Sequence, residues 1–155
     1  MKNNLSSSPQ PEGTNTKPAA LPLGQPQRIL IADDLVFLAE LMQEWLVAKG
    51  YSVKVVHDGQ AAADYLKQSP VDLVILDVEM PGLDGFEVCT FIRSHKHLAK
   101  LPVIISTGRD NPLDRDHARR LDVHAFIPKP FALPELLAKV RTALQPKTQS
   151  LNCTP

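Results

Sequence analysis

The sequence has few cysteines and no long run of apolar residues. Its 155 residues include two cysteines, Cys89 and Cys153. This is not the dense pattern of a disulfide-stabilised secreted domain, so we expect a cytoplasmic, reducing location. No apolar stretch approaches the about 20 residues that a membrane-spanning helix needs. The amino-terminal residues also lack the apolar core of a secretory signal, so we expect no membrane insertion.

The sequence also lacks an excess of either charge. Seventeen Lys and Arg residues balance seventeen Asp and Glu residues. Nucleic acids and anionic membranes attract basic proteins, and a neutral chain gives no global reason to expect them as partners. The hydrophobic fraction of 43% is sufficient for a folded core, and the length is that of one domain.

Residues 1–26 differ in composition from the rest of the chain. They are poor in large apolar side chains and rich in proline. Such a segment buries too little surface to offset the entropy of ordering, so we predict that it is disordered. We predict that the remaining chain consists of one folded domain over 27–145 and a flexible tail over 146–155. We expect no second domain and no helix-turn-helix after it, so that output passes through protein contacts.

Short apolar runs alternate with amphipathic segments along the domain. This alternation predicts an α/β fold, in which right-handed crossovers join the strands of a parallel sheet and helices cover both faces. Lys54 and Pro128 suit edge strands, which fits a doubly wound, flavodoxin-like sheet with strand order 2-1-3-4-5. The predicted strands are 28–32, 52–56, 71–77, 102–106 and 123–127.

The fourth predicted helix has the smallest apolar face. Asn111 and Pro112 form a good helix start, since asparagine caps and proline suits the first helical position. Leu113, Ala118 and Leu121 are nearly all of its apolar residues. A helix that buries so little should be the most mobile element of the fold.

Acidic residues end two of the predicted strands. Asp33 and Asp34 follow the first strand, and Asp77 ends the third. The carboxyl ends of parallel strands meet at one edge of a sheet, where we also expect Thr107 and Lys129. Two like charges ~4 Å apart repel by ~4 kcal/mol at an effective dielectric constant of ~20. The cluster therefore needs a cation, and its oxygen donors favour Mg²⁺.

With Mg²⁺ and the Lys129 ammonium, three negative charges would meet three positive ones. Such a balanced site suits phosphoryl transfer, which depends on positioning and on neutralisation of charge. Asp77 would be the nucleophile, Lys129 would hold the transferred oxygens, and Thr107 would donate a hydrogen bond. Each residue alone also has a structural interpretation as a helix cap, a strand end or a surface charge. Their joint occurrence in this order favours the site.

These motifs resemble the receiver domain of two-component response regulators over about 28–144. The resemblance implies a phosphorylation-dependent signalling protein that catalyses only its own phosphorylation and dephosphorylation. It implies that Asp77 accepts a phosphoryl group from a sensor histidine kinase or a histidine phosphotransfer protein. The matching motifs are Ile-Leu-Ile-Ala-Asp-Asp at 29–34, Asp-Leu-Val-Ile-Leu-Asp-Val-Glu-Met-Pro-Gly-Leu-Asp-Gly-Phe-Glu-Val at 72–88, Pro-Val-Ile-Ile-Ser-Thr-Gly at 102–108 and Lys-Pro-Phe at 129–131.

The resemblance also implies a set of metal ligands. Mg²⁺ would be bound directly by Asp34 and Asp77, through water by Asp33, and by the backbone carbonyl of Glu79.

The resemblance further implies a switch. Thr107 and Lys129 match the switch hydroxyl and the phosphate-binding lysine, and the Lys129–Pro130 peptide would be cis. Phe126 matches an aromatic residue, frequently tyrosine, that turns inward when the threonine moves. Signalling would pass through the surface of the fourth helix, fifth strand and fifth helix. A kinase or phosphotransfer protein would dock around the first helix, at Leu35, Val36, Leu38 and Met42, unless they pack in the core, which is the alternative for about half of them.

Glu79 and Arg109 occupy positions that vary in this family and influence the lifetime of the phosphoryl group. Glu79 lies two residues after Asp77, and Arg109 two residues after Thr107. We predict that they form a partly exposed ion pair that screens the acyl phosphate from water.

Three other functions fit parts of the pattern. A Mg²⁺-dependent aspartyl-phosphate hydrolase of the haloacid-dehalogenase type usually carries a second Asp where Glu79 stands, and it has a substrate cap. A flavin-binding module would need a donor-rich loop where Asp33 and Asp34 repel phosphate. A receiver-like interaction domain that never takes phosphate stays open as an alternative.

Overall fold

A computed structural model of the protein describes residues 24–146. Most of the predicted disordered segment, and of the predicted tail, lies outside the described residues. Strands and helices alternate, as β1 Arg28–Ala32, α1 Val36–Ala48, β2 Ser52–Val56, α2 Gly59–Gln68, β3 Leu73–Asp77, α3 Gly85–Ser94, β4 Val103–Thr107, α4 Pro112–Arg120, β5 Ala125–Pro128 and α5 Leu133–Leu144.

The five strands form one parallel sheet in the order β2-β1-β3-β4-β5, which confirms the predicted topology. Every residue of β3 and of β4 is buried, since neighbouring strands flank both and helices cover both faces. The edge strands are less covered. Lys54 of β2 is exposed, and Pro128 ends β5, where one missing amide donor does not interrupt the sheet.

Successive side chains of each strand contribute to two separate cores, as the alternation of a pleated strand requires. Leu30, Leu76 and Ile105 face one core, while Ile31 and Ile75 face the other. The first core is completed by α2, α3 and α4 through Ala62, Leu66, Val88, Cys89, Ile92 and Ala118. The second is completed by α1 and α5 through Ala39, Met42, Leu46, Leu136, Leu137 and Val140.

The helix starts follow local capping chemistry. The side chain of Asp58 accepts a hydrogen bond from Ala61 at the start of α2. At α3, Asp84 and Glu87 form a reciprocal capping box. These caps satisfy backbone amides in the first turns of α2 and α3, which have no partner within the helix.

The prediction of which α4 residues face the core is wrong at one position. Leu113 is 82% exposed, whereas Asp114, which the pattern puts among the polar residues, is only 7% exposed. Ala118 is buried and Leu121 packs against the core, as predicted. The inward turn of Asp114 follows from its hydrogen bonds with Asn111 and Arg109, which the apolar spacing does not reveal.

The first helix divides the four predicted docking residues between core and surface. Met42 is fully buried in the core, and Leu38 is half-buried and packs against it, as the alternative of core packing allows. Leu35 and Val36 are half-exposed, and Phe37, which the prediction omitted, is 79% exposed. Over the described part of the chain, no helix combines the length and apolarity that crossing a membrane would require.

Candidate functional site

The three predicted aspartates meet at the carboxyl edge of the sheet. Asp33 follows β1 and Asp77 ends β3, and these strands are neighbours in register through Ala32 and Leu76. Carboxylate oxygens of Asp33, Asp34 and Asp77 all lie within 4.8 Å of one another. The structure therefore brings together residues that are 44 positions apart in the sequence, as the parallel topology predicted.

Two of these carboxylates are buried. Asp33 is 1% exposed and Asp77 is 4% exposed, while Asp34 is open to solvent. Burial raises the pKa of Asp77 to about 6; the Lys129 ammonium opposes this rise and the charge of Asp33 adds to it. The ionised form of Asp77 is therefore under-stabilised by the protein alone, and an added cation at the cluster would favour it.

Lys129 supplies a positive charge to this cluster. It follows β5, and its backbone amide donates to the carbonyl of Thr107 over 2.7 Å. Its Nζ lies 2.8 Å from Oδ2 of Asp33 and 3.5 Å from Oδ2 of Asp77. The Lys129–Pro130 peptide is cis, as the resemblance implied.

Thr107 ends β4 at the same edge of the sheet and is fully buried. Its Oγ1 accepts a hydrogen bond from the backbone amide of Arg109 over 3.0 Å. Because this bond uses an acceptor lone pair, the hydroxyl proton is left available for donation.

The donor set fits a hard divalent cation. Three carboxylates, two of them buried, offer only oxygen donors, and Mg²⁺ prefers such ligands. The backbone amide of Glu79 donates to Oδ1 of Asp77 over 3.3 Å, which holds the loop after β3 against the cluster. Ligation by the Glu79 carbonyl stays a prediction.

Glu79 and Arg109 lie across the site mouth, with Oε1 and Nε 3.8 Å apart and both side chains at least half exposed. This confirms the predicted ion pair. Arg109 has a closer partner, however, in Asp114: its Nε lies 3.1 Å from Oδ2 and its Nη2 donates to Oδ1 over 3.2 Å. Sequence reasoning missed Asp114; the available signal was its position three residues after the helix cap Asn111.

Phe126 of β5 is half-buried and packs against the core formed with α2, α3 and α4. The guanidinium carbon of Arg115 on α4 lies 4.9 Å from its ring centroid, within cation–π distance. Arg115 also forms an ion pair with Asp110. The predicted switch aromatic is therefore covered by a residue of α4, while Pro130 is exposed.

Comparison with known proteins shows similarity to response regulators. A model of the response regulator receiver domain matches residues 29–141. Response regulator MprA of Mycolicibacterium vanbaalenii is 41% identical over 123 residues, which cover 79% of this chain and 52% of that protein. The chain thus spans about half the length of the curated relatives that it matches.

Solved structures agree with this similarity. A putative response regulator from Chloroflexus aurantiacus has 28% identity and a TM-score of 0.73, over 77% of this chain and 98% of that one. A structure described as a DNA-binding response regulator of the LuxR family, from Staphylococcus aureus, has 30% identity and a TM-score of 0.71. The match covers 77% of this chain and 99% of that one.

Proposed function

The chain belongs to the response regulator receiver domain family, and from this premise we propose that it is a signalling switch that accepts a phosphoryl group on Asp77. The observation that carries the proposal is a cluster of three carboxylates, two of which lie close to one ammonium group. The aspartate oxygens lie within 4.8 Å of one another, and Lys129 Nζ lies 2.8 Å from Asp33 and 3.5 Å from Asp77. Receiver domains signal through phosphorylation and are not classical turnover enzymes.

In the proposed reaction, a carboxylate oxygen of Asp77 attacks the phosphorus atom of a phosphohistidine. The new O–P bond gives an acyl phosphate, and the electron pair of the broken P–N bond returns to the imidazole of the donor. Lys129 provides fixed positive charge beside the attacking oxygen. Mg²⁺, held by Asp33, Asp34, Asp77 and the backbone carbonyl of Glu79, would neutralise negative charge on the phosphoryl oxygens when bound.

The acyl phosphate carries a charge near −2 where the carboxylate carried −1. Thr107 and Lys129 are placed to respond to this added charge. The Thr107 hydroxyl would donate to a phosphoryl oxygen, and its movement would leave space for Phe126 to turn inward. The surface of α4, β5 and α5 would then change and a protein partner would recognise it.

A histidine kinase or phosphotransfer protein is the proposed donor, acting in the cytoplasm. Leu35, Val36 and Phe37 support docking at the start of α1, since they are exposed apolar residues that closely follow Asp33 and Asp34. We retain the expectation of no nucleic-acid or membrane contact by these residues, based on the neutral charge of the chain.

Acetyl phosphate with Mg²⁺ tests the phosphoacceptor directly. We expect intact protein to gain the mass of one phosphoryl group, and Asp77→Asn to gain none because an amide cannot act as the nucleophile. Asp64→Asn is a matched control, since Asp64 lies on α2 outside the acidic cluster. Absence of any gain from acetyl phosphate or a phosphohistidine donor would contradict the proposal, as would an equal gain by Asp77→Asn.

The ion pair at the mouth should lengthen the life of the acyl phosphate. A partly exposed pair contributes under about 1 kcal/mol. Glu79→Ala and Arg109→Ala should therefore each speed dephosphorylation by about two- to fivefold. The rate is measured after removal of the donor, and unchanged rates in both variants would show that the pair does not screen the phosphoryl group.

A further inference from the structure

We infer that Asp114, on α4, is a positioning residue that holds Arg109 at the mouth of the phosphorylation site and thereby sets the lifetime of the acyl phosphate. The inference rests on the proposed function, and it adds a residue that neither the motifs nor the family resemblance assigns. Asp114 lies outside the acidic cluster of Asp33, Asp34 and Asp77. Its effect would pass through one side chain, that of Arg109.

The contacts of Arg109 are unequal. Asp114 binds two of its nitrogens, with Nε 3.1 Å from Oδ2 and Nη2 3.2 Å from Oδ1. The contact with Glu79 is longer, 3.8 Å from Nε to Oε1. A planar guanidinium held at two nitrogens by one carboxylate has a fixed orientation, whereas a long contact between exposed groups does not fix it. Asp114 therefore determines where Arg109 stands.

Asp114 is itself firmly placed. Its residue is 7% exposed, and Nδ2 of Asn111 donates to its Oδ2 over 2.9 Å while its backbone amide donates to Oδ1 of Asn111 over 2.8 Å. It lies in the first turn of α4, where the helix dipole favours a negative charge. A buried carboxylate is costly unless it is paired, so Asp114 and Arg109 hold each other.

Arg109 touches the reacting site at two further points. Its backbone amide donates to Oγ1 of Thr107 over 3.0 Å, and its guanidinium reaches Glu79 beside the phosphoacceptor loop. Substitution of Asp114 would release this guanidinium without altering Asp77, Thr107 or Glu79. The mouth of the site would then lose its fixed cover, and water would reach the acyl phosphate more readily.

A simpler role for Asp114 is to stabilise the start of α4. That role would lower the stability of the fold whether or not residue 109 is arginine. The positioning role instead requires that the effect on dephosphorylation disappears when Arg109 is absent. A double-mutant cycle separates the two roles.

The experiment compares Asp114→Asn, Arg109→Ala and the double variant, each loaded from acetyl phosphate with Mg²⁺ and then freed of donor. Asp116→Asn is the matched control, because Asp116 lies on the same helix and pairs with Arg119 and Arg120 instead. We expect Asp114→Asn to dephosphorylate about two- to fivefold faster than the native protein, by the same factor as Arg109→Ala. The double variant should be no faster than either single variant, and Asp116→Asn should match the native rate.

A native rate in Asp114→Asn would overturn the inference, and so would an equal acceleration by Asp114→Asn in the Arg109→Ala background. If Asp114→Asn fails to fold, Arg109→Lys gives the same test, since one ammonium cannot bind both carboxylate oxygens as the fork does. Its rate should also rise, and a native rate there would overturn the inference. If the native protein takes up no phosphoryl group, the proposed function itself is wrong and this inference falls with it. Uptake with equal lifetimes in native and variant proteins would overturn this inference alone.

Discussion

The proposed role of Asp77 and its environment oppose each other. The proposed nucleophile must be ionised, yet this residue is 4% exposed and lies beside Asp33. Burial outweighs the attraction of Lys129, so the pKa of Asp77 rises to about 6. At neutral pH the metal-free protein therefore carries a buried charge that destabilises its fold.

This conflict predicts that Asp77→Asn stabilises the metal-free protein. Because the folded-state pKa is raised from 3.8 to about 6, the stability linked to Asp77 is fully present below pH 3.8 and is lost as the pH rises through about 6. The upper limit of the gain in the free energy of unfolding at neutral pH is about 3 kcal/mol, for a pKa raised by about two units. Urea unfolding of the native protein and of Asp77→Asn in EDTA, between about pH 4 and pH 8, measures this gain. An equal gain at both ends of the range would contradict the raised pKa of Asp77.

Among the helices, α4 has little packing to hold it. Its buried residues are Asp114 and Ala118, and Leu113 points to solvent. By comparison, α3 is only one residue longer but buries Phe86, Val88, Cys89 and Ile92 and begins with a capping box. Polar contacts thus hold the start of α4, while apolar packing holds α3.

We expect the backbone amides of α4 to exchange with deuterium faster than those of α3. Local opening of a helix is opposed mainly by the apolar surface that it buries, which is small for α4. Hydrogen exchange followed by mass spectrometry compares the two helices within one sample, so that α3 is the internal control. Equal protection of α3 and α4 would show that the polar network alone is sufficient.

At the scale of the whole molecule, the sheet collects charges that are distant in the sequence. Lys129 lies 96 residues from Asp33 and binds it across the carboxyl edge. The acidic cluster therefore exists only in the folded protein. A cation that binds there must stabilise the fold, because the unfolded chain offers no comparable site.

Mg²⁺ should raise the melting temperature of the native protein. At a concentration ten times the Kd, the expected stabilisation is about 1.4 kcal/mol. Asp34→Asn removes one exposed member of the cluster and should weaken the response while leaving the fold intact. Sodium chloride at matched ionic strength controls for screening. An equal response of the native protein to both salts would argue against a metal site.

The sequence by itself determined the alternation of strands and helices and the polar residues at the strand ends. Apolar runs such as Ile29–Ala32 and Leu73–Leu76 are local patterns, so they can be recognised from residues that are close together in the sequence. The edge character of Lys54 and Pro128 then supported the strand order that the sheet has. Since parallel strands bring their carboxyl ends together, the meeting of Asp33, Asp34 and Asp77 followed from topology alone.

Only the tertiary structure decided which side chains of the helices turn inward. Spacing could not show that Asp114 is buried while Leu113 is exposed. A helix is placed about its axis by all of its neighbours, and hydrogen bonds from Asn111 and Arg109 outweigh one apolar residue on α4. The partners of Arg109 depend on this placement. Glu79 and Asp114 come from separate parts of the fold, and no local pattern in the sequence shows how far they lie from Arg109.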